Sequence, residues 1–171
     1  MVSTTDPWQL SYSRGTRTDI SMLHDFFVTA QRLRRVLTDG LRGSGMRPDE
    51  YAVYSLLFEK GPMTATEMAE LLAMPLTTVL DYAREMTEAG HLVRTSHPFD
   101  GRATELSLSR VGIAAHRRAN RHWEVVRQYI EDGLEVPVGQ VRKSLAALDD
   151  SAGRAALRLR KPAARRRTGL G

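Results

Sequence analysis

Residues 61–94 read GPMTATEMAELLAMPLTTVLDYAREMTEAGHLVR, and their punctuation divides them into two short helices and the start of a strand. Thr64-Ala65-Thr66-Glu67 has capping-box spacing: the threonine oxygen accepts from the backbone of Glu67 while the glutamate reaches back to the threonine N–H. The helix so begun runs to about Leu72, where Ala73-Met74-Pro75 interrupts it. The next starts at Pro75 or Leu76, carries Val79, Ala83 and Met86 on one face, and meets a glycine stop at Gly90. Two short helices across so tight a turn predict a helix-turn-helix.

The flanking sequence extends this reading in both directions. His91–Ser96 and Ala103–Leu108 alternate in part and are separated by a turn containing proline and glycine, which predicts a β-hairpin. Upstream, Ile20, Leu23, Phe26, Phe27, Ala30, Leu33, Val36, Leu37 and Leu41 recur at helical spacing until Gly43 and Gly45. Arg47-Pro48-Asp49-Glu50 opens a second helix, with proline in its first turn and acids at the positive end of its dipole. Downstream, Ser109 caps a helix ending near Gly133, and Pro137 opens a last one with Val141, Leu145 and Leu148.

The predicted fold is therefore mainly α with a small β-hairpin. A winged helix-turn-helix domain spans about residues 48–109, flanked by long helices at about 18–42 and 110–150 suited to dimerisation. Residues 1–17 read as an irregular arm, and 154–171 as a basic, disordered tail beyond a domain covering 18–153.

Composition narrows the function classes. The chain has 171 residues and 42% hydrophobic content, enough for one domain with a real core. No run of about 18 apolar residues occurs, and MVSTTDPWQLSYSRGTR lacks the apolar middle of a signal peptide, so a cytoplasmic protein without membrane contact is expected. The absence of cysteine excludes disulfides, thiolate metal sites and thiol redox switching. Seven of the 25 Lys+Arg lie between Arg154 and the C-terminus, where there is no acid. The rest of the chain holds 18 basic and 20 acidic residues, a net of −2. A basic tail of this kind can hold a polyanion through counterion release, without sequence preference.

Nothing in the sequence nominates an enzyme, a cofactor or a metal site. Histidines 24, 91, 97, 116 and 122 are scattered, and no Gly-rich phosphate loop, nucleophile elbow or HExxH occurs. His116 and His122, six residues apart, share a helix face poorly.

With Val79, Ala83 and Met86 turned inward, Thr77, Thr78, Asp81, Tyr82 and Arg84 fall on the flanks and outer side of the second short helix. Threonine can bond a phosphate or base and offer its methyl to thymine, arginine suits guanine or phosphate, and aspartate accepts from a cytosine amino group. Beside DNA, Asp81 costs affinity unless it pairs with Arg84 or a cytosine. Pro75 pre-sets the first turn of this helix and Met74 is a poor side-chain cap, which leaves backbone N–H groups available to a phosphate.

These features together resemble the MarR family of bacterial transcription regulators from about residue 20 to 150. The resemblance is most specific in residues 61–94, in the hairpin segment FDGRATELSLS (99–109) and in Gly112. It implies a cytoplasmic, nucleoid-associated homodimer on a pseudo-palindromic operator in double-stranded DNA, acting as a repressor released by a small aromatic or anionic ligand. It also implies that Arg102 at the wing reaches the minor groove or its phosphates while Asp100 holds the wing by pairing with an arginine; Arg94 and His97 are supporting candidates. A ligand cleft would draw on Arg17, His24, Phe27, Tyr51, Tyr54 and Phe58, which mix aromatic faces with cationic groups. The alternative function is a nonspecific architectural DNA-binding protein that relies on its Arg-rich tail.

Overall fold

The computed structural model describes residues 21–96 and 102–160. Arg17, His97 and Asp100, and the turn glycine Gly101, lie outside the described residues. Within them the order is α1 (Met22–Leu41), a 3-10 turn (Arg42–Ser44), α2 (Pro48–Lys60), β1 (Met63–Thr64), α3 (Ala65–Leu71), α4 (Leu76–Glu88), β2 (Leu92–Ser96), β3 (Thr104–Leu108), α5 (Arg110–Asp132) and α6 (Val138–Arg160). No helix among the described residues is long and apolar enough to cross a membrane.

The caps follow the expected chemistry. Glu67 N donates to Thr64 Oγ1 at 3.2 Å, and Thr64 N donates to Glu67 Oε2 at 2.7 Å, completing the box that starts α3. Arg47 N donates to Glu50 Oε2 at 3.3 Å at the start of α2. Ser109 Oγ accepts from Gly112 N at 3.1 Å and so caps α5.

The sheet has three antiparallel strands in the order β1-β3-β2. Leu92 to Ser96 pair in register with Leu108 to Thr104, and Met63 pairs with Leu106. The hairpin was expected; β1 was not, because two residues carry no period and its pairing is nonlocal.

The chain divides into two compact units, up to Val126 and from Arg127 onward, with α5 running across the division. The first unit holds the core. Leu41, Val53, Tyr54, Met68, Val79 and Met86 are buried almost completely, bringing the end of α1 and the inner faces of α2, α3 and α4 together, with Leu106 of β3 and Ala115 and Ala119 of α5 completing it. A Cβ on Gly40 would come within 2.1 Å of the Val126 side chain, so α1 crosses α5 at a bare backbone. Most of α1 nevertheless exposes apolar surface: Met22, Leu23, Phe26 and Phe27 are each about half or more exposed.

In the second unit α6 buries no residue and exposes Leu145, Leu157 and Leu159. This helix continues through Arg160, past the boundary at 153 beyond which a basic, disordered tail was expected. Between Asp150 and Lys161 the sequence offers mainly Ala, Leu and Arg, all strong helix formers, with Ser151 and Gly153 the weaker positions.

Candidate nucleic-acid interface

The tight turn between α3 and α4 is set by hydrogen bonds from Ala73 N to Glu70 O (3.2 Å) and Met74 N to Ala69 O (3.0 Å). This is a Schellman ending, and it places Ala73 at φ +50°, a left-handed conformation that a Cβ disfavours. Pro75 then forms the N-cap of α4 and makes no side-chain cap. The far end of α4 repeats the device with the residue suited to it. Gly90, at φ +70°, donates to Thr87 O at 2.9 Å, and His91 N donates to Met86 O at 2.8 Å.

Between these stops α4 turns Val79, Tyr82, Ala83 and Met86 inward. Tyr82 therefore corrects the sequence reading, which placed it among the outward groups. It is 8% exposed, because position 82 lies three residues from Val79 and four from Met86 and so shares their stripe. Its ring lies under the Arg47 guanidinium, 5.4 Å from carbon to centroid. Burial, only partly offset by that arginine, raises its phenol pKa. Tyr82 is core, and Arg47, which also reaches Glu85 at 3.4 Å, ties α4 to the start of α2.

The outward face carries the other candidates. Thr77, Asp81 and Arg84 are exposed and Thr78 is half-buried. Arg84 Nη2 donates to Asp81 Oδ1 at 2.9 Å, the pairing that the position of Asp81 demanded. Both side chains are more than half exposed, and such pairs contribute about 0–1 kcal/mol. Arg84 can therefore leave Asp81 for a phosphate or a guanine at small cost. The sequence reading missed Leu80, half exposed at 50%. Its position, three residues after Thr77 and four before Arg84, was the available signal, and an outward apolar group there matches a thymine methyl.

The hairpin stands directly after α4. Arg94 on β2 is exposed and donates to Thr87 Oγ1 of α4 at 3.4 Å. Arg102 is exposed just before β3. An outward α4 face, a hairpin that bears arginine and the buried pedestal of α2, α3 and α5 make this lobe a winged helix-turn-helix.

The ligand candidates separate into two groups. Tyr51 and Tyr54 are buried and their hydroxyls are engaged: Tyr51 donates to Asn120 Oδ1 at 2.6 Å, and Tyr54 meets His91 Nδ1 at 2.6 Å. Tyr51 also stacks on Trp123 and His116. Burial raises the phenol pKa of Tyr51, and burial with a nearby Glu50 pushes that of Tyr54 up to about 12. Both rings belong to the buried cluster of the first unit. His24, Phe27 and Phe58 are exposed; Phe58 stacks on His116 with centroids 4.5 Å apart.

No protein-family model and no curated protein matches this sequence. Solved structures do share its fold. A probable transcriptional regulator from Pseudomonas aeruginosa is 25% identical, with a TM-score of 0.68 over 77% of this chain and 99% of that one. A mutant of E. coli MarR complexed with operator DNA is 16% identical, with a TM-score of 0.66 over 73% of this chain and 91% of the other. CouR from Rhodococcus jostii, bound to p-coumaroyl-CoA, is 18% identical, with a TM-score of 0.68 over 78% of this chain and 95% of the other. The fold is that of the MarR-type winged-helix regulators.

Proposed function

We propose that this protein is a sequence-specific, DNA-binding transcription regulator that acts as a homodimer, a repressor released by a small ligand, with no catalytic role. The observation that carries the proposal is the outward face of α4. It offers Thr77, Thr78, Leu80 and a readily opened Asp81–Arg84 pair, beside a hairpin with Arg102 at its return strand, in a fold shared with a MarR bound to operator DNA. Such a face suits a major groove, and an arginine on a wing suits the negative potential of a narrow minor groove.

One lobe reads one half-site. Two half-sites about one helical turn apart need two copies, and the exposed Leu23, Phe26 and Phe27 on α1 and Leu145 on α6 supply apolar surface for that assembly. The ligand arm is supported by the CouR complex and by the exposed aromatic Phe27 and Phe58. Ligand binding would favour a spacing of the two α4 helices that no longer fits the operator.

The test is selection of duplexes from a random pool, followed by the mass of the complex formed. Enrichment of a pseudo-palindrome carrying two protomers is the expected result. A chain that binds every duplex equally, and loses binding on truncation after residue 153, would instead be an architectural protein relying on its basic end.

A further inference from the structure

His91 lies where four elements meet. Its N–H closes the last turn of α4 by donating to Met86 O at 2.8 Å, and its carbonyl accepts from Ser109 N at 2.9 Å, immediately before α5. The next residue, Leu92, begins β2. The side-chain Nδ1 of His91 meets the Tyr54 hydroxyl of α2 at 2.6 Å, with the rings edge to face. Two further contacts close the junction. Ser109 Oγ donates to Gly90 O at 2.7 Å, and a Cβ on Gly112 would stand 2.2 Å from the His91 carbonyl oxygen. The first turn of α5 therefore rests on the backbone of residue 91.

We propose that His91 is a positioning residue, whose imidazole, held by Tyr54, fixes the direction of α4, together with β2 and the start of α5, relative to α2. The backbone bonds alone tie α4, β2 and α5 to one another, and they would survive a small rotation of this group about α2. The Tyr54–His91 bond restrains that rotation at the junction itself, where the other side-chain links from α2, Arg47 to Glu85 of α4 and Tyr51 and Ser55 to Asn120 and His116 of α5, do not act. The phenol oxygen can donate to Nδ1 or accept from it, according to the imidazole tautomer, and the contact is held in either case. This proposal rests on the DNA-binding reading above, since a fixed direction of α4 matters only if α4 must meet a groove.

The experiment measures, at one salt concentration, the ratio of affinity for the selected duplex to affinity for an unrelated duplex. It compares the full-length wild type with Tyr54→Phe, His91→Ala, the double variant and His91→Asn, each also followed by thermal unfolding. Tyr54→Phe and His91→Ala should each lower the ratio about tenfold, with the double variant no worse than either single one, as for two ends of one interaction. His91→Asn, whose amide oxygen can stand near the position of Nδ1, should restore most of the ratio. An unchanged ratio in Tyr54→Phe and His91→Ala, even with a lowered melting temperature, would make the contact merely structural and overturn the proposal. Additive losses in the double variant would also overturn it. A wild type that enriches no duplex would instead refute the DNA-binding reading itself, and the role of His91 with it.

Discussion

Ser55 Oγ and His116 Nε2 lie 3.1 Å apart where α2 meets α5, while Nδ1 of the same imidazole is buried with no hydrogen-bond partner among the described residues. The neutral ring with its proton on Nε2 suits this site: the hydroxyl receives the N–H, and only a lone pair goes unpartnered. Protonation would bury both a charge and an unmatched donor. Desolvation accordingly lowers the His116 pKa from 6.5, opposed by Glu59 and assisted by Arg117.

The sign of the consequence follows from linkage. With the folded pKa below the unfolded one, the unfolded chain binds more protons in the interval between them, so stability falls as pH drops through about 6.5 and continues to fall toward the folded value. The contribution of this one group has a slope of at most about 1.4 kcal/mol per pH unit. Urea unfolding between pH 8 and pH 5 should show the decline, and His116→Phe should flatten it relative to the wild type. Parallel curves for the two proteins would show that His116 does not drive the dependence.

Asp81→Asn should strengthen binding to any duplex and steepen the salt dependence, because it removes a negative charge from the outward face of α4 and frees Arg84 from its 2.9 Å partner. The change in slope should be about one phosphate contact. Titrations at several salt concentrations check this. Weaker binding to the selected site alone would instead assign Asp81 to a cytosine amino group.

Arg102→Ala and Thr78→Ala should separate affinity from readout. Loss of the wing arginine should weaken operator binding and lower the salt slope by about one unit. Loss of the Thr78 side chain should change which base is preferred, with little change in slope. An Arg102 variant with wild-type affinity and slope would remove the wing from the interface, and a uniform loss across duplexes in Thr78→Ala would argue against base contact.

Two small substitutions should move stability in opposite directions. Ala73→Gly relieves a left-handed residue in the helix-turn-helix and should stabilise the fold by up to about 1 kcal/mol. Gly112→Ala drives a methyl against the His91 carbonyl and should cost about 1–3 kcal/mol. Urea midpoints of the two variants on either side of the wild-type value are the expected result.

What the sequence made legible was local chemistry. The capping box at Thr64, the stop at Gly90, the serine cap at Ser109 and the apolar stripe of α4 each occupy a few consecutive residues, so their reading carried the helix-turn-helix, the hairpin and the positions of Thr77, Asp81 and Arg84. Errors arose where phase or distance decided. Tyr82 shares the phase of Val79 and Met86, and its polar hydroxyl masked its burial. Strand β1 exists only through its pairing with β3, more than 40 residues away. Leu80 was passed over because an exposed leucine announces itself only once the opposite face is known to be full. His91 gave no signal at all, since its partners Tyr54, Met86, Ser109 and Gly112 come from three separate segments. The extension of α6 to Arg160 was hidden by treating a run of arginine as tail chemistry rather than as helix-forming residues.

Helix α6 presents 23 residues without burying one. Intrinsic propensity leaves an isolated helix only marginally ordered in water, so α6 draws its order from whatever covers it. Under the homodimer proposed above, that cover is a second copy, and mass action then governs the helix. Dilution should unwind α6 while the winged-helix lobe, with a core of its own, stays intact. The helical content of such a dimer would then be a function of its concentration.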